Sequence, residues 1–225
     1  MAVINDPNTA ANVTAVGEKA TSTTGALHVT QKPIPASIGA YRTSVILTMA
    51  TTQAANSRLF EIRNTSTNLL IPTRIRVGML TSGTVTTAYV FQLALFRCTS
   101  FTAVDTVNTV TPTTSVKRTT GMTAYPGNAA VRYVTVAGAA AGMTGGTLTK
   151  DANPVGQYVA CTHTAAPGVV TPMVTAELLD DVNGTHPLVL AQNEGFEIEN
   201  FVVGSGTANV VTVLIDVSWA ETAAY

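Results

Sequence analysis

The chain has 225 residues, of which 46% are hydrophobic and 11% charged, less than half of the roughly 25% charged residues of an ordinary soluble domain. Lys plus Arg number 12 against 13 Asp plus Glu, a formal net charge of -1, so no polybasic field exists to hold nucleic acid or an anionic membrane surface. The surface must then be built largely of Thr, Ser, Asn and Ala, which suits a protein packed against copies of itself or a larger assembly and speaks only faintly for enzymatic chemistry.

One β-domain of this length is ordinary, so a single domain with an N-terminal arm is expected. The mean hydropathy of +0.28 does not point to a membrane span. The longest weakly polar stretch, residues 134–146, is mostly Ala and Gly with Thr135 and Thr144 inside it, too short and too feebly apolar to cross a bilayer. The opening MAVINDPNTAANV has neither the basic head nor the apolar core of a secretion signal, and synthesis in a cytoplasm is expected.

Residues 1–40 are rich in Ala, Thr, Asn and Pro without helical or alternating periodicity. Pro33 and Pro35 stiffen their end, and such an arm is expected to order by lying along a neighbour. From Tyr41 the chain becomes a series of β-runs. In residues 43–49 (TSVILTM) Val45, Leu47 and Met49 fall on one face and Ser44, Ile46 and Thr48 on the other, the period of a strand. Residues 58–64 (RLFEIRN) alternate as well, with Phe60 and Ile62 toward a core and Leu59, Glu61 and Arg63 away from it, a half-exposed strand. Residues 69–79 follow, and their Pro72 demands an edge or a bulge.

Residues 85–97, dense in Val, Tyr, Phe and Leu, read as a central strand. Residues 102–150, with their Thr cluster, YPGN and a Gly/Ala tract, read as a long loop excursion of the kind that carries function or partner contacts. Weaker strand signals lie at 131–136, 157–162 and 169–174. The end is clear again: PLVLA, FEIENFV, the loop GSGTAN and VVTVLIDVSW. The last two runs around Gly204 and Gly206 predict a hairpin. Eight to ten short strands without α-periodicity give an all-β, jelly-roll-like β-sandwich with an extended N-terminal arm over 1–40 and the domain proper over 41–225.

No arrangement of residues demands a cofactor, a metal or a catalytic role. DDVNGTH gathers Asp180, Asp181, Asn183 and His186, but the spacing misses the calcium-loop pattern and Asn183-Gly184 is itself a turn signal. Glu194, Glu197 and Glu199 form a second acidic group. Glu197 and Glu199 share one strand face, which favours solvent exposure or pairing with Arg58 or Arg63 on a neighbouring strand over acid–base work. His28, His163 and His186 are scattered, without metal spacing. Cys98 and Cys161 read as buried reduced thiols, with a disulfide open only if the fold joins them. GMTGG at residues 142–146 lacks the Lys-Ser/Thr of a phosphate loop and reads as a flexible connection. The N-x-S/T triplets at Asn12, Asn64 and Asn183 are expected by chance in a Thr-rich chain.

The stretches SRLFEIRNTSTNLLIPTRI, VDTVNTVTPTTSVKRT, PGNAAVRYVTVAGAAAGMTGGTLTKD and DDVNGTHPLVLAQNEGFEIEN resemble a family of small virion proteins of tailed bacteriophages. The resemblance covers most of the chain and its motifs are structural. It implies a particle component: a head decoration (cement) protein bound to the major capsid protein, or alternatively a tail, fibre or receptor-binding part. An enzyme or small-ligand binder is the third reading. The charge-poor surface adds the expectation of a homo-oligomer, with a trimer foremost.

Overall fold

A computed structural model describes residues 37–49, 53–82, 90–113, 115–117, 127, 129–134, 142–161, 170–180, 187–201 and 211–223. These form twelve strands and, among the described residues, no helix. The strands are β1 (Ser37–Thr48), β2 (Ser57–Asn64), β3 (Leu69–Ser82), β4 (Val90–Ala103), β5 (Thr109–Val110), β6 (Ser115–Lys117), β7 (Ala129–Val134), β8 (Thr147–Lys150), β9 (Gly156–Cys161), β10 (Val170–Asp180), β11 (Gly195–Asn200) and β12 (Val211–Thr222).

Two antiparallel sheets pack as a sandwich. The five-stranded sheet runs β10-β3-β12-β1-β6, and the seven-stranded sheet runs β5-β7-β2-β11-β4-β8, with β9 pairing the first half of β4. Eight of the strands pair in nested order: β1 with β12, β2 with β11, β3 with β10 and β4 with β9.

Alternation drives this packing. In β1, Val45, Leu47 and Met49 are buried while Ile46 is 67% exposed, as the period of two predicts. The core between the sheets holds Phe60, Ile62, Phe91, Leu93, Leu95, Phe196 and Ile198 from one side and Tyr41, Val77, Val213, Ile215 and Trp219 from the other. Phe60 and Phe196 stack across β2 and β11 at 6.2 Å. Tyr41 and Trp219 stack across β1 and β12 at 5.5 Å. Pro72 lies at a bulge as required: the β3–β12 register steps from Arg74↔Ser218 to Pro72↔Trp219, leaving Thr73 over.

Several expectations are corrected. Ser37–Ala40 belong to β1, paired with β12; the rest of the predicted arm lies outside the described residues. Residues 202–210 also lie outside them, but β11 and β12 do not form a hairpin. β11 sits between β2 and β4, and β12 sits between β1 and β3 in the other sheet. A glycine-bearing loop serves a crossing between sheets as readily as a tight reversal, and the six consecutive buried residues of β11 mark a strand covered on both faces. The stretch 102–150 contains the end of β4 and four further strands. β5 and β7 extend the seven-stranded sheet beyond β2, β6 extends the other sheet beyond β1, and β8 returns to β4. Its β-branched Thr residues suit strands, but its segments are too short to display an alternating pattern.

Candidate functional site

The return of the insertion buries a charge cluster on the outer face of the seven-stranded sheet. Glu61 and Glu197 stand directly opposite each other on β2 and β11, Arg132 of β7 faces Glu61, and Phe96 of β4 faces Glu197. Arg58 joins them because of a bulge. Side chains three apart in a regular strand point to opposite faces, but the β2–β11 register shifts at Ile198/Glu199, leaving Leu59 over and pairing Arg58 with Glu199. The extra residue turns Arg58 to the side of Glu61.

Arg58 Nη1 lies 3.0 Å from Glu61 Oε2, Nη2 3.5 Å from Asp105 Oδ2 and Nε 3.8 Å from Glu197 Oε2. From β8, Lys150 Nζ reaches Glu199 Oε1 at 2.5 Å and Glu197 Oε1 at 3.5 Å, and sits 4.3 Å above the Phe96 ring. Phe201 packs on the same ring at 6.1 Å. The lid over these groups is backbone. The Asp105 amide donates to Glu61 Oε1 (2.6 Å), the Gly145 amide donates to Asp105, and the Met143 amide donates to the Arg58 carbonyl (2.9 Å).

Glu61, Asp105 and Glu197 are fully buried and Glu199 nearly so. Burial raises the pKa of Glu61 above the ordinary carboxylate value, against the Asp105 amide and Arg58. Burial first, then the neighbouring Glu199, push Glu197 up to about 8. Burial and the charges of Glu197 and Glu61 raise the Cys98 thiol as well, which keeps it an inert, protonated side chain.

The half-exposed reading of β2 therefore fails, and Glu197 and Glu199 are not solvent-facing, because the insertion covers this face. The pairing with Arg58 holds for Glu197, whereas Glu199 pairs with Lys150. Arg63 instead donates to Asn193 Oδ1 at 2.6 Å, and Glu194 pairs with Arg97 at 2.9 Å at the end of the sheet. GMTGG is no loose connection either: Gly142 and Gly146 have φ of +69° and +80°, a region L side chains rarely adopt, and a Cβ at Gly142 would meet the Arg58 carbonyl at 2.5 Å. Gly142→Val is expected to lift this lid; in a Cys161→Ser background, alkylation of the buried Cys98 should accelerate over the unsubstituted glycine, whereas an unchanged labelling rate would mean that the lid does not depend on Gly142.

Cys98 is buried, but Cys161 is exposed, and both are free. Cys161 pairs with Val90, eight residues along β4 from Cys98, or about 27 Å at ~3.4 Å per residue, far beyond disulfide reach. Asn64 is buried and structural, donating to the carbonyls of Asn68 (2.6 Å) and Leu190 (3.0 Å). Asp180 ends β10, whereas Asp181, Asn183, His186, His28, His163, Asn12 and the Gly204–Gly206 loop lie outside the described residues. Among the described residues no group of His, Cys, Asp and Glu is arranged to hold a metal ion, and no helix is long and apolar enough to cross a membrane.

A second ionic group braces the other sheet. Arg42 donates through Nε and Nη2 to both Asp216 oxygens at 2.8 Å, Ser44 adds 2.8 Å and Arg76 3.3 Å. Burial works against ionisation of Asp216, but the hydrogen bonds from Arg42 and Ser44 and the charges of Arg42 and Arg76 prevail and lower its pKa. A lowered folded-state pKa contributes stability above the unfolded value that is lost as pH falls through the folded one. Asp216→Asn should remove that part of the acid destabilisation, read as a flatter urea midpoint on acidification below about pH 4; an unaltered acid limb would refute the assignment.

A scan against protein-family models and searches of curated proteins and of solved structures find no match to this chain.

Proposed function

We propose that the protein is a structural component of a tailed-bacteriophage virion, a decoration protein that binds the head shell in many copies and stabilises it. The observation that carries this reading is where the few charges go. Of the thirteen acidic residues, six among the described residues, Glu61, Asp105, Glu197, Glu199, Asp216 and Glu221, are buried, so the surface is poorer in charge than the composition alone implies. Its outward strand positions instead carry Ile46 at 67%, Val116 at 58% and Val159 at 57% exposure. Such a surface favours association with protein over solvation. The resemblance of residues along most of the chain to virion proteins supports the same reading, and the nested strand pairing suits a jelly roll wound from eight strands.

In this reading the chain assembles as a trimer on the major capsid protein, and many weak contacts act together through multivalency. Particles lacking the protein should assemble but release their genome at lower temperature than complete ones. Unchanged particle stability with loss of host attachment would favour a tail or receptor-binding role instead, and failure to form any shell would mean a principal capsid role. Light scattering of the isolated protein should give a trimer mass; a monomer at micromolar concentration would count against self-assembly.

A further inference from the structure

The buried cluster holds more than a structural brace. Glu197 is completely buried, and among the described residues neither of its carboxylate oxygens has a hydrogen-bond donor; Glu199 Oε2 has none either. Two residues apart on one strand face, both carboxylates reach toward the same Lys150 Nζ. The groups that face Glu197 are Glu61 and Arg58 from β2, Glu199 from its own strand, Phe96 and Cys98 from β4, Lys150 from β8 and Asp105 from the lid, with Arg132 of β7 beyond Glu61. Three cations thus stand among four carboxylates. One proton balances the charge and supplies the donor that the orphan oxygens lack, and leaving it out places an uncompensated negative charge in a dry site.

We propose that Glu197 keeps one proton in the folded protein, donated toward the orphan oxygen of Glu199, and that this proton is a latch, holding residues 104–107 and 142–150 down on the seven-stranded sheet. The proton leaves to solvent when the lid opens, and the exposed carboxylates then ionise freely. A group whose folded pKa is raised favours the closed form at low pH, and that advantage is lost as pH rises toward the folded pKa, here about 8. The latch is independent of the virion reading: it concerns only how the insertion is fastened.

The test is carboxyl-carbon NMR titration of the full chain labelled at Glu, combined with amide exchange. One carboxyl group should titrate near pH 8 and disappear in Glu197→Gln. Exchange at the Asp105 and Gly145 amides, corrected for intrinsic base catalysis, should rise up to roughly tenfold per pH unit between about pH 5 and 7.5 and level off above about pH 8, as one-proton linkage requires. In Glu197→Gln, whose amide stands in for the protonated acid, corrected exchange should be flat with pH. The proposal is overturned if every glutamate titrates below about pH 6, or if the variant keeps the wild-type exchange profile. The titration of the unsubstituted protein decides the matter by itself should Glu197→Gln not fold.

Discussion

Arg58→Met is expected to be among the most damaging single substitutions in the chain. The guanidinium is nearly buried and is shared by Glu61, Asp105 and Glu197. Removing it keeps the volume but leaves buried carboxylates without their cation, a change that destabilises by about 3–5 kcal/mol. The loss should depend on pH with a definite sign. Without Arg58, Glu61 and Glu197 ionise less readily, so the deficit is larger at about pH 8 than at about pH 5, where protonation relieves it. Urea denaturation of wild type and variant at both values checks this; a deficit under about 1 kcal/mol, or one independent of pH, would show that Arg58 acts as a surface charge.

Trp219→Ala should weaken the other sheet of the sandwich by a similar amount. Trp219 is 1% exposed, stacks on Tyr41 and lies across from Pro72 at the β3–β12 bulge. Its truncation opens a large cavity where three strands meet, costing about 3–5 kcal/mol against a total stability of roughly 5–15 kcal/mol for a typical protein. The midpoint of thermal unfolding should fall accordingly, and Trp219→Phe, which retains an aromatic ring for Tyr41, should recover part of it. Equal losses for Ala and Phe would show that the stacking contributes nothing.

What the sequence discloses, and what it hides, follows from the range of the interactions. The inward set Val45, Leu47 and Met49 is legible because alternation is local, and the bulge at Pro72 is legible because a missing N–H is a property of one residue. Membership of a sheet is not local. β11 and β12 look like a hairpin from their spacing, yet each lies between two strands distant in sequence. The charge cluster is hidden for two reasons. The bulge at Leu59 moves Arg58 to the other face of β2, so a strict period of two misplaces it. The cover comes from Asp105, Gly145 and Lys150, whose arrival over Glu61 and Glu197 depends on the β4–β8 register. The one local clue is in residues 142–146, where Gly142, Gly145 and Gly146 are spaced for close backbone approach, a reading that competes with simple flexibility.

The nested pairing also sets a timetable for synthesis. β1 can meet the short β6 and β2 the short β7 earlier, but β1 finds its full-length partner only when β12 has been made, since Ser37 pairs with Thr222, and β2 waits likewise for β11. At about 5–20 residues per second, the 185 residues from Ile38 through Thr222 take roughly 10–40 s to translate. Over that interval β1 and β2 emerge from the ribosome with their apolar faces unsatisfied, and none of the four nested pairs forms until β9 follows β4. Contacts so far apart in sequence make for slow, late folding, and neighbouring nascent chains on one message are then the nearest competitors for each waiting strand.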